Sequence, residues 1–290
     1  MLLKRVITAL VLAPLAALAV FQLNPEYFSV ILGLLMLFAA WEWSVLIGIN
    51  ATSKRVLYLL LLVLPMVGIY LWTQILEMTA QIFNWPDVRD YSGILDILIV
   101  PAVIFWVVIM LLLRGNPEKL LKLDLKMPYK IILGAMIMHS FWMCLSRLKA
   151  FYGAEMTMYL LLLIWGADVA AYFVGRRYGK AKLSPEISPG KTVEGAYGAI
   201  AAALICGVVL SLIYGFNIMI ASDFILLSIM TVLISVYGDL FFSLVKRKRG
   251  VKDSGALLPG HGGILDRLDS LIAAVPFFYA GVYLIGRLVI

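Results

Sequence analysis

The chain has 290 residues, 63% of them hydrophobic and only 14% charged, with a formal net charge of +7. A soluble domain carries nearer a quarter charged residues, and a single core cannot absorb the surplus, because any core still needs a polar surface around it. A soluble fold is excluded, and lipid must be the solvent for most of the chain.

Only helices or closed barrels satisfy their backbone in lipid. The apolar runs here are continuous rather than alternating at period two, so helices are expected. Nine runs follow one another, at 6–21, 27–47, 56–76, 94–113, 129–145, 156–174, 193–215, 224–245 and 268–290. Trp41, Trp43, Trp85, Tyr91 and Tyr129 fall near their ends, as interfacial anchors do. The first run follows Lys4 and Arg5, which suits a retained first span; Ala17 and Ala19 leave a cleaved signal peptide as the alternative. Cys144 and Cys206 lie inside apolar runs and offer neither a disulfide framework nor metal spacing. The absence of an internal repeat disfavours a repeat-built transporter.

The loops carry the charge. Of the 24 Lys and Arg, all but Arg89, Arg147, Lys149 and Arg287 fall on one side of a nine-span arrangement. The positive-inside rule makes that side cytoplasmic. It explains the net charge without nucleic acid, for which nothing else in the sequence speaks. The expected fold class is therefore all-α: a polytopic membrane protein with about nine transmembrane helices and a cytoplasmic N-terminus. Residues 1–150 would supply N-terminal and middle helices, and 151–290 a C-terminal region where the chemistry gathers.

Two loops on the basic side hold more than connectors need. In 175–195, Gly190-Lys191-Thr192 invites a P-loop reading. The glycine that the pattern needs is Pro185, and a membrane helix rather than a strand comes before, so the reading is rejected. Lys191 and Thr192 still precede a helix, where backbone N–H groups favour phosphate. A helix cap beside a topological lysine explains them equally well. In 243–270, Lys246, Arg247, Lys248, Arg249 and Lys252 can meet phosphates or acidic head groups. Gly260, Gly262 and Gly263 surround His261 and let backbone approach an anion. Asp266 and Asp269, three apart at a helix start, share one face.

Carboxylates inside apolar runs are costly, at roughly 2.5–3.5 kcal/mol on insertion scales. Asp168 and Asp239 are such residues. Asp239, Ser243 and Lys246, spaced i, i+4 and i+7, share a helix face. A structural ion pair is the bland alternative. Glu42, between Trp41 and Trp43, stands open between the two roles. His139 reads as a hydrogen-bonded core residue.

The run S-L-V-K-R-x-x-x-x-K-D-S-G-A-L-L-P-G-H-G-G-I-L-D-R-L-D at 243–269 resembles the signature of the phosphatidate cytidylyltransferases, also called CDP-diacylglycerol synthases. Ser243, Lys246, Arg247, Lys252, Asp253, Pro259, His261, Gly262, Gly263, Asp266, Arg267 and Asp269 match its fixed positions. Ser188, Pro189, Lys191, Thr192, Glu194 and Gly195 match a second family segment, and Asp168 sits in a matching G-A-D-x-x-A-Y-F context. The resemblance covers essentially the whole chain and fits bacterial members.

That resemblance implies a Mg²⁺-dependent homodimer in the bacterial inner membrane. Its site, facing the cytoplasm, would take CTP and the membrane lipid phosphatidic acid. A phosphatidate oxygen would attack the α-phosphorus of CTP and pyrophosphate would leave. Asp239 and Asp266 are implied as metal ligands, with a second cation not excluded by the pattern. Lys191, Lys246, Arg247 and Arg267 are candidate phosphate clamps, and His261 or Asp269 candidates to move a proton. Lys252 and Asp253 belong to the catalytic set. Asp168, Ser188, Thr192, Ser243, Gly262 and Gly263 belong to the substrate-binding set. Two rivals stand: a CTP-dependent polyprenol kinase, which would transfer the γ-phosphate, and a secondary transporter using Asp168 and Asp239.

Overall fold

A computed structural model of the chain describes residues 2–84, 99–257 and 262–289. Among them are nine helices: α1 Leu2–Gln22, α2 Pro25–Leu46, α3 Thr52–Phe83, α4 Ile99–Gly115, α5 Pro117–Lys122, α6 Met127–Tyr178, α7 Val193–Tyr214, α8 Ile218–Lys248 and α9 Leu265–Val289. Two strands, β1 Lys182–Ser184 and β2 Ser188–Thr192, pair antiparallel just before α7. Trp85, Arg89, Tyr91, Pro259, Gly260 and His261 lie outside the described residues.

The architecture is that of a polytopic all-α membrane protein with one small hairpin. Six helices (α2, α3 and α6 to α9) are long and apolar enough to cross a membrane; Val11–Gln22 and Ile99–Gly115 are shorter apolar stretches. Their outer faces are apolar, with Leu212, Ile213 and Ile218 largely exposed. Facing water, such a surface would aggregate; facing lipid, it needs no cover. Starts and stops follow local chemistry. Asn24 and Asn217 accept from Tyr27 N and Ile220 N at the heads of α2 and α8, and Asn84 ends α3 in the left-handed region.

Two features depart from the sequence reading. The fifth and sixth apolar runs lie within α6 on either side of a break at Gly153, whose backbone is non-helical with φ of 84°, so both runs are helical as expected and only the cations between them are placed differently. Arg147 and Lys149, expected in a far-side loop, are instead buried just before that break. Lys149 Nζ donates to Ala19 O at 3.0 Å and Leu23 O at 2.5 Å, and lies 4.5 Å from the Phe28 ring centre. The end of α1 leaves carbonyls without helical partners and the negative end of its dipole exposed, so a buried cation there is satisfied. The second departure is the hairpin. Pro185 lies in its turn, and Pro189 is tolerated in β2 because both strands are edges.

The core that matters for the site lies where α8 packs against α9, α7 and α4. Phe241 and Phe242 of α8 meet Trp43 of α2 and Trp106 of α4 at ring distances of 5.5 to 6.4 Å. This aromatic cluster fixes α2 and α4 against the turn that follows Asp239. His139 is the bonded core residue expected: its ring nitrogens lie 2.7 Å from Ala135 O and 2.9 Å from Leu62 O.

Candidate active site

The hairpin delivers Lys191 to α8. Lys191 Nζ lies 2.7 Å from Asp239 Oδ2 and donates to Val236 O at 3.2 Å. Ser243, one turn along, donates to Asp239 Oδ1 at 3.3 Å, as the i, i+4 spacing requires. Thr192 ends β2 and caps α7, its Oγ1 accepting from Gly195 N at 3.1 Å. Glu194 accepts from Lys180 N and Ala181 N, closing the hairpin onto α7. The two readings of Lys191-Thr192 thus divide: the threonine hydroxyl caps the helix, and the ammonium enters a carboxylate cluster.

One turn further along α8, Lys246 reaches the first turn of α9. Its Nζ lies 2.8 Å from Asp266 Oδ1 and 3.8 Å from Asp269 Oδ2, with all three side chains at most 12% exposed. Asp266 Oδ2 also accepts from Ser254 N at 2.8 Å and Gly263 N at 2.9 Å. Gly262 has φ of 84°, and a Cβ there would lie 2.7 Å from Asp266 Oδ2, so both conformation and space require glycine. Asp168 of α6 lies close enough to Ser270 of α9, Asp239 and Lys191 to interact electrostatically with them; Asp269 in turn lies within the field of Asp239. Four aspartates and two lysines from α6, the hairpin, α8 and α9 therefore form one cluster. Sequence reasoning named all six, but not Ser270 or Ser254, whose small hydroxyls carry no signal of their own.

The remaining cations tie loops together. Arg247 donates from Nε to Ile187 O at 3.2 Å and from Nη1 to Val251 O at 3.3 Å. Lys248 reaches Leu123 O, and Arg249 donates to Asn50 Oδ1 at 2.9 Å. Lys252, Asp253 and Arg267 are exposed around the cluster, and Ser188 is half-buried at the start of β2. His261 lies outside the described residues.

Four aspartates stand against two lysines in the cluster, a formal imbalance that a divalent cation would offset. The donors are hard oxygens, as Mg²⁺ prefers. No group of three or more His, Cys, Asp or Glu able to hold a metal is found among the described residues. Mg²⁺ commonly keeps several waters and needs only one or two carboxylates, so the donor set fits that ion.

Ammonium groups and carboxylates are gathered at the crossing of spanning helices, beside a loop rich in cations, an arrangement suited to an integral-membrane enzyme for phosphorylated substrates. The chain belongs to the cytidylyltransferase family, whose model matches residues 3–285. It is 37% identical to the phosphatidate cytidylyltransferase of Haemophilus influenzae over 96% of this chain and 97% of that protein. It is 35% identical to that of Pseudomonas aeruginosa over 99% and 98%. A match to the Bacillus subtilis enzyme reaches 47% identity over 131 residues.

Lys191→Ala tests whether the hairpin lysine meets a nucleotide phosphate. Loss of one charged hydrogen bond is worth about 1.5–3 kcal/mol, so kcat/KM for CTP should fall roughly 10- to 150-fold in protein that still inserts into membranes. Unchanged CTP kinetics would reduce Lys191 to a partner of Asp239.

Proposed function

We propose that this chain transfers the cytidylyl group of CTP to phosphatidate, releasing pyrophosphate and leaving CDP-diacylglycerol in the bilayer. The observation that carries the reading is the convergence of Lys191 and Lys246 on Asp168, Asp239, Asp266 and Asp269, in a chain similar over nearly its full length to phosphatidate cytidylyltransferases. A phosphatidate oxygen forms a bond to the α-phosphorus of CTP as the bond from that phosphorus to the bridging oxygen of pyrophosphate breaks. Phosphoryl-type transfer asks for positioning and charge neutralisation more than for a protein nucleophile. Lys191 and Lys246 turn from their aspartates toward substrate phosphates, and Arg267 at the head of α9 completes the cationic side. Ser243 orients Asp239, and Asp269 holds Lys246. Mg²⁺ held by Asp239 and Asp266 would offset charge developing on the phosphates. Phosphatidate is already anionic near neutral pH, so no general base is required, and His261 or Asp269 serves only if a proton must move.

The positive-inside distribution supports a site facing the cytoplasm, where CTP is found, in a bacterial inner membrane; a homodimer is the expected assembly. One experiment tests reaction and orientation together. Sealed inside-out and right-side-out vesicles receive phosphatidate, Mg²⁺ and CTP labelled at the α- or the γ-phosphate. The α label should enter lipid and the γ label pyrophosphate, in inside-out vesicles alone. A γ label in lipid would mean a lipid kinase, and equal activity in both vesicle types would overturn the orientation.

A further inference from the structure

We propose that Glu42 is a positioning residue for this reaction: from α2 it ties Ser254 to the head of α9 and so holds Asp266 where Lys246 meets it. Glu42 is 3% exposed. Its Oε2 accepts from Ser254 Oγ and from Leu265 N, both at 2.9 Å, and its Oε1 accepts from Ile264 N at 3.0 Å. Asp266 takes the neighbouring donors, Ser254 N and Gly263 N. Ser254 is therefore gripped at its hydroxyl by one carboxylate and at its backbone by the other. The consecutive N–H groups of Gly263, Ile264 and Leu265 are divided between the same two carboxylates. These donors, at the head of α9, have no helical partners, and the positive end of the helix dipole suits the charge.

Space confirms the fit. A Cβ at Gly263 would lie 2.3 Å from Glu42 Oε2, and one at Gly255 would lie 2.6 Å from Oε1. Only hydrogens fit on either side of the carboxylate. A helix that needed nothing more than a cap would take it from a local Ser, Thr or Asp. Here the cap comes from another helix, 223 residues away, and shares its donors with a member of the cluster. Glu42 itself, with three hydrogen bonds accepted from Ser254 and the head of α9, acts through Asp266.

The inference rests on the cytidylyltransferase reading, so wild type is assayed alongside with CTP and phosphatidate. Glu42→Gln keeps size but turns an NH₂ group toward N–H and O–H donors. Its kcat should fall about 10- to 100-fold, as the loss of charged hydrogen bonds implies, while KM for CTP stays within about threefold. Ser254→Ala should shift kcat the same way by less, and adding it to Glu42→Gln should cost little more. Glu42→Asp, which keeps the charge, should recover part of the loss. The control is Leu160→Ala, a fully buried core site, which should lower thermal stability in detergent at least as much while leaving kcat near wild type. An inactive wild type would sink the function. An active wild type with Glu42→Gln unchanged, with a changed KM alone, or with a kcat loss matched by Leu160→Ala, would sink the positioning role.

Discussion

Lys246→Met is expected to cost this protein stability and turnover together. Lys246 is the only described cation within 4 Å of Asp266 or Asp269, and its side chain is 11% exposed. Methionine fills the space and removes the charge. Asp269 then faces the field of Asp239 with little water to screen it, and Asp266 keeps only its two backbone donors. Breaking a buried pair by deleting one partner costs about 3–5 kcal/mol, because the remaining charge stays uncompensated. The unfolding midpoint in detergent should therefore fall by several degrees. Added Mg²⁺ should restore part of that loss if a cation takes the vacated place, since ligands that bind only the folded state stabilise it. Activity should fall at least about a hundredfold, because the variant also loses the ammonium group proposed to meet substrate phosphate. Lys246→Arg, with charge but a wider head, should keep stability better than activity. A Met variant that melts with wild type and turns over within about threefold of it would remove Lys246 from the site.

The parts of this site that could be read from the sequence are those carried by local spacing. The i, i+4 relation of Asp239 and Ser243 became a hydrogen bond. Asp266 and Asp269, three apart, both face Lys246. The nine apolar runs fall on helix wherever they are described. What spacing cannot encode is which distant residue arrives. Lys191 finds Asp239 because a hairpin folds under α8, and the prolines in that segment hide its strand character. Arg247, Lys248 and Arg249 looked like free cations. Contacts with residues 187, 123 and 50 also give each of them a tether, and such contacts exist only once the helices have packed. Glu42 was legible as unusual, a carboxylate between two tryptophans, but its partners lie more than 200 residues away. Lys149 was placed in a loop because two cations interrupt the apolar pattern there; the first half of α6 instead runs past it to the break at Gly153, and the carbonyls at the end of α1 satisfy the cation.

The proposed metal is tested most sharply at Asp239 and Asp266, which belong to different helices. Each already has a lysine partner, at 2.7 and 2.8 Å. Substitution by Asn keeps the shape and one oxygen while removing the charge. Asp239→Asn and Asp266→Asn should each lose at least about a hundredfold in activity, because a bound cation supplies several kcal/mol of charge stabilisation. The two should differ in stability. Asp266 Oδ2 also accepts from Ser254 N and Gly263 N, so an amide nitrogen at that position would unsettle the junction of Ser254 with the head of α9 that Glu42 holds, whereas Asp239 bears no such load. Asp266→Asn should therefore melt lower than Asp239→Asn while losing a similar amount of activity. If both hold one ion, the double variant should be little worse than either single, since residues acting as a unit are strongly non-additive. Raising Mg²⁺ should partly rescue each single variant and not the double. The measurement is a Mg²⁺ titration of activity for wild type, both singles and the double, with melting followed in parallel. Modest losses that simply add, at unchanged Mg²⁺ dependence, would leave the lysine pairs as the whole purpose of these aspartates and would refute a shared metal.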